Sequence, residues 1–97
     1  MYLEIVTPEE ILFSAEVHSV SVPGVDGEFQ MLNNHAPIVS VLKEGTIKVH
    51  VHTQEHLTLN DLKGKLVPQV DDDNVLVLKI NSGTLELKDN KVIILAD

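Results

Sequence analysis

Apolar and polar residues in this chain follow a period of two, and in no window do apolar residues recur at helical spacing for three turns. The clearest case is residues 46–52, where Ile47, Val49 and Val51 share one face and Lys48, His50 and His52 the other. Such alternation predicts an antiparallel strand with one wet side, with residues 56–59 as its hairpin partner. Residues 17–22 predict a half-buried strand in which Ser19 and Ser21 face away from Val20 and Val22. Residues 84–88 place Leu85 and Leu87 inward, with Thr84, Glu86 and Lys88 outward. Residues 75–80 and 92–95 are near-continuous apolar runs and predict buried strands. Shorter strands are expected at 2–6, 11–13 and 38–42. Between 60 and 74 the pattern weakens to turn residues, with a short strand near 65–67 and Asp71-Asp72-Asp73 in a loop.

The turns fit this reading. Asp89-Asn90 is a two-residue loop of the kind that closes a tight hairpin. The densest punctuation lies at 22–37, where two prolines, two glycines and two asparagines stand between two apolar runs. Gly24 and Gly27 are corners that can adopt positive φ, and residues 28–31 form a short strand between them and a second corner at Asn33-Asn34. Pro37 then sets Ala36 extended. The expected fold is all-β: one domain over residues 1–97, a flattened antiparallel β-sandwich or barrel of about ten short strands.

Composition narrows the function. Among the 97 residues Val, Leu and Ile dominate an apolar share of 43%, with two Phe, one Tyr and no Trp, a core suited to strands. A net charge of −8 disfavours a nucleic-acid backbone or anionic lipid as partner. The absence of cysteine removes disulfides, thiolate metal sites and cysteine nucleophiles. Residues 1–20 carry no signal-peptide pattern, and no apolar run approaches the roughly 20 residues of a membrane helix.

Candidate chemistry is thin. His50, His52 and His56 invite a metal reading, because residues two apart on a strand project to one side. The alternative is a solvated strand face. Asp71-Asp72-Asp73 lacks the spacing of a calcium loop. There is no nucleophile elbow and no phosphate-cradling glycine loop. His35, inside the rigid segment, is either a turn histidine bonded to nearby backbone or a contact residue presented to a partner. The residues alone point to a non-enzymatic interaction module.

The punctuated segment Gly24-Val25-Asp26-Gly27-Glu28-Phe29 with Asn33-Asn34-His35-Ala36-Pro37 resembles the hallmark of the epsilon subunit of bacterial F-type ATP synthase. The likeness continues through Leu42-Lys43-Glu44-Gly45-Thr46-Ile47, Ser82-Gly83-Thr84-Leu85-Glu86-Leu87 and Asn90-Lys91-Val92-Ile93-Ile94-Leu95-Ala96-Asp97. Leu3-Glu4-Ile5-Val6-Thr7-Pro8-Glu9 and Phe13-Ser14 also fit. Together these blocks cover most of the chain in the family's order.

The resemblance implies a ten-stranded β-sandwich of the central stalk, bound to the gamma subunit and seated on the c-ring. Such a subunit turns as protons cross, and catalysis occurs elsewhere, so no active site and no cofactor are expected. The family's c-ring contact falls on Glu28, Phe29, Gln30 and Met31, and its gamma contact on Thr7, His35 and Ser40. Membrane contact would come only through the c-ring, at the cytoplasmic face of the bacterial membrane. The chain departs from the family pattern in two places. It stops at Asp97, before the family's C-terminal helical hairpin, so the inhibitory latch and ATP binding are not expected. Residues 53–81 are longer than the family's usual hairpin. The competing readings are a small metal enzyme using His50, His52 and His56, and a β-sandwich adaptor unrelated to ATP synthase.

Overall fold

The computed structural model describes residues 1–51, 67–69 and 72–97, with 67–69 and 72–74 described by their backbone. Ten strands occupy these residues: β1 (Tyr2–Val6), β2 (Ile11–Glu16), β3 (Ser19–Gly24), β4 (Gly27–Leu32), β5 (Ile38–Leu42), β6 (Gly45–His50), β7 (Val67–Gln69), β8 (Asp72–Ile80), β9 (Gly83–Lys88) and β10 (Lys91–Ala96). No helix is present among the described residues. The strands join in the order β2-β1-β10-β9-β5-β3-β6-β8-β7, with β4 on β3.

That path is creased at one place. β5 meets β3 at a single register pair, Gly24 with Leu42, whereas β5 pairs with β9 over five residues and β6 with β8 over six. The curled sheet folds at this seam into two halves, β2-β1-β10-β9-β5 and β4-β3-β6-β8-β7. One apolar cluster fills the space between them, drawing Leu3, Ile5, Leu85 and Ile94 from the first half and Val22, Met31, Ile47 and Leu76 from the second. The sandwich expected from the strand pattern is therefore observed.

Several expectations change in detail. β1 and β10 pair in parallel, in an otherwise antiparallel set; the rest of the chain lies between these strands, so no short turn dictates their direction. β3 is buried along its whole length, including Ser19 and Ser21, where a half-buried strand was expected. It has β4 on one edge and β6 and β5 on the other, and the Ser19 hydroxyl accepts a hydrogen bond from Gln30 Nε2 at 3.0 Å. In β2 a register shift opposite Ile5 and Val6 lets the consecutive Leu12 and Phe13 both enter the core, as a bulge permits.

β6 alternates as expected, with Ile47 and Val49 buried. Both of its edges are filled over Lys48, Val49 and His50, by β3 and β8. The partner expected at 56–59 lies outside the described residues. Asp72 and Asp73 belong to β8 rather than to a loop, because that strand extends outward from its apolar run to meet β7. Among the described residues β7 ends the strand order, a position in which a strand can forgo one N–H, as Pro68 requires.

Candidate docking surfaces

The β3–β4 hairpin turns through Val25 and Asp26, with Gly24 opposite Gly27. Only Gly27 takes a positive φ, +132°. Gly24 serves a different need. A Cβ placed there would lie 2.8 Å from Phe29 Cε1 and 2.8 Å from the Gly27 carbonyl oxygen, so its absence lets the Phe29 ring close over the hairpin.

Period two then sorts β4. Glu28, Gln30 and Leu32 are exposed, while Phe29 and Met31 share the inward face, opposite Val22 and Val20. Phe29 is half-buried against the core. Met31 is fully buried at 0% exposure, which corrects its expected place in a contact surface: its side chain fills the core and cannot be offered to a partner. The outward residues include Leu32, and the turn adds Val25; both are exposed apolar side chains absent from the sequence reading. The alternation of β4 already carried the signal for Leu32.

The other three expected contacts do not form one cluster. Thr7 caps the β1–β2 turn: its N–H donates to the Glu10 carbonyl at 2.9 Å, and its hydroxyl bridges the Glu10 N–H and carbonyl. Ser40 is half-buried, in phase with Ile38 and Leu42, while Val39 and Val41 face outward at 78% and 56% exposure. His35 ends a turn closed by its N–H to the Leu32 carbonyl at 3.1 Å, with Asn34 at φ +64°, the positive third position of a type II turn. Its Nδ1 lies 2.7 Å from the Ala36 carbonyl oxygen. A carbonyl can only accept, so Nδ1 is the donor in this contact. The five residues of β5, at about 3.3 Å each, separate His35 from the Thr7 end of the sheet.

At that end lies an apolar groove of about 610 Å³ lined by Val6, Thr7, Pro8, Val41, Thr84 and Leu95, among others. Strand register explains it. Val41, Thr84, Leu95, Val6 and Ile11 stand opposite one another across five neighbouring strands, and Val41, Leu95 and Ile11 are exposed. Gly83 keeps the floor tight, since a Cβ there would meet the Leu95 carbonyl oxygen at 2.7 Å. Apart from Thr84 the row is apolar, and exposed apolar surface of this kind is a candidate for docking. The groove also borders the β3–β4 hairpin, because the Val25 N–H donates to the Val41 carbonyl at 3.2 Å.

Of the three histidines raised as a metal set, only His50 is described. His50 sits half-buried in β6 between Ser19 and Val75, and His52 and His56 lie outside the described residues. Among the described residues no three His, Asp or Glu side chains converge.

Comparison with known proteins places this architecture. The family model of the ATP synthase Delta/Epsilon chain beta-sandwich domain matches residues 1–61. The ATP synthase epsilon chain of Campylobacter curvus is 36% identical over 97 residues, covering all of this chain and 60% of the relative. That of Chlorobium limicola is 36% identical over 95 residues, covering 98% of this chain and 86% of the relative. The chain thus spans about 60% of the length of the first relative and most of the second. Among solved structures, a chain of the Euglena gracilis mitochondrial ATP synthase (OSCP/F1/c-ring) superposes with a TM-score of 0.70 at 20% identity, over 97% of this chain and 48% of that one. A chain of the Tetrahymena thermophila mitochondrial ATP synthase central stalk/c-ring gives 0.68 at 12% identity, over 99% and 62%; at these identities the likeness is one of fold. With the family model matching more than half of the sequence and a relative matched along nearly its full length, the chain belongs to the ATP synthase delta/epsilon chain family, as its β-sandwich domain.

Proposed function

We propose that this chain is the non-catalytic central-stalk subunit of a proton-translocating F-type ATP synthase, joining the gamma subunit to the c-ring and so coupling proton flow to ATP synthesis. The observation that carries the reading is the family match, and an exposed hairpin that borders an apolar groove at Val25 and Val41 supports it. A rotor linker must pass torque from one partner to the other, and a two-layer β core with its strands hydrogen-bonded across nearly the whole sheet resists shear. The complex sits on the cytoplasmic face of the bacterial membrane, which this chain meets only through the c-ring.

In this reading the β3–β4 hairpin faces the c-ring. Glu28 and Gln30 supply polar contacts, and Phe29, held by Gly24, stiffens the tip. Met31 acts from within the core. The gamma subunit takes the groove beside Thr7, where Val41 and Leu95 give an apolar centre; exposed Val39 extends it along β5, with Ser40 on the other face of that strand and His35 as an outlying polar contact. Apolar centres rimmed by polar residues are the usual anatomy of such interfaces. The test is reconstitution: the purified chain should co-elute with its cognate gamma subunit, and the pair should assemble on c-rings without ATPase activity of the chain itself. Failure to bind gamma would overturn the proposal.

A further inference from the structure

The corner that carries His35 joins β4 to β5, and so one half of the sandwich to the other, and it is held from the β9–β10 turn. Asn90, in the β9–β10 turn, reaches it with both ends of its side-chain amide. Its Oδ1 accepts from the Asn34 N–H at 2.8 Å, and its Nδ2 donates to Asn33 Oδ1 at 2.9 Å. A backbone N–H can only donate, so the amide orientation is fixed by the pair. Asn33 Oδ1 also accepts from the Met1 ammonium at 2.8 Å, and the Asn90 carbonyl accepts from the Tyr2 N–H at 3.0 Å.

We infer that Asn90 is a positioning residue for docking: its amide clasps the Asn33–Asn34 corner and thereby fixes where His35 is presented to the gamma subunit. The inference rests on the proposed gamma contact at His35. Its bonds are solvent-exposed, where water competes and little net stability results. Stability therefore does not account for a two-pronged bond between turns 56 and 57 residues apart. Nor does the hairpin need this side chain, since both Asp89 and Asn90 have positive φ (52° and 61°) and glycine serves a turn of that type at least as well.

Asn90→Gly separates the two roles. It should leave the melting temperature of the isolated chain and the amide exchange of Val92 and Ile94 unchanged. It should speed exchange of the Asn34 amide and weaken gamma binding, each by about three- to tenfold, the scale of a lost hydrogen bond. Asn90→Asp, which keeps an acceptor for the Asn34 N–H, should restore the Asn34 protection and most of the affinity. Unchanged Asn34 exchange in Asn90→Gly would overturn the clasp. Faster exchange with unchanged gamma affinity would overturn its role in docking. His35→Ala, measured alongside, tells the two failures apart: if that variant binds gamma like the parent chain, the His35 contact itself falls, whatever the Asn34 exchange shows.

Discussion

Val25 donates its backbone N–H to the Val41 carbonyl at 3.2 Å, joining the tip of the β3–β4 hairpin to the end of β5. Lys43 N–H to the Pro23 carbonyl at 2.9 Å lies beside it, and the Gly24–Leu42 register pair lies between. These few bonds cross the crease between the two halves of the curled sheet. Val25 occupies the second position of a hairpin turn, where proline is tolerated, and Gly24 before it lies in a strand, as a residue preceding proline prefers. Val25→Pro should therefore keep the hairpin and delete this one bond. We expect a loss of about 1 kcal/mol in chemical denaturation and faster exchange of the Lys43 amide; an unchanged Lys43 amide would show that the seam does not depend on Val25.

Gly24 and Gly27 should fail for different reasons when replaced by alanine. At Gly24 the added methyl meets the Phe29 ring and the Gly27 carbonyl, an overpacking cost of about 1–3 kcal/mol. At Gly27 nothing lies within 4 Å of the added carbon, but φ is +132°, and backbone strain of about 1–3 kcal/mol is expected instead. Adding Phe29→Leu should recover little of the Gly24→Ala loss, because the carbonyl contact persists. Urea denaturation of the three variants checks this, and full recovery would contradict the carbonyl contact.

Val39 and Val41 are exposed, and Glu86 stands opposite Val39, so lysine at both positions should keep the fold at a cost of about 1 kcal/mol per site for losing a β-branched residue from a strand. Binding to gamma should be lost, since charge would enter the apolar centre of the proposed seat. Size-exclusion chromatography with gamma reads the outcome directly. Retained binding would move the gamma seat away from this groove.

Glu28→Lys reverses an exposed charge at the proposed ring contact. The melting temperature should hold while assembly on c-rings weakens. The defect should shrink as salt rises from about 0.05 M to 0.5 M, where screening shortens the reach of charges to a few ångströms. Assembly indifferent to the reversal would remove Glu28 from the contact.

Much of the fold was legible locally. Leu85 and Leu87, Ile47 and Val49, and the Asp89-Asn90 turn follow from alternation and turn chemistry, and the structure places them as read. The family, too, was legible, because its matching blocks run along the chain in order. The candidate c-ring segment could be named from the sequence, but not the surface it presents. Glu28 and Gln30 do face outward, yet Met31 turns inward with Phe29, as the alternation of β4 implied and its pairing opposite Val20 fixed.

The sequence by itself determined where strands and corners form, because dihedral preference and period-two patterning act between residues close along the chain. Only the tertiary structure decided the rest. The parallel β1–β10 pair, the burial of Ser19 and Ser21, the row from Val41 to Ile11 and the Asn90 clasp all join segments distant in sequence. Strand order and register set these contacts, and both depend on how the whole core packs.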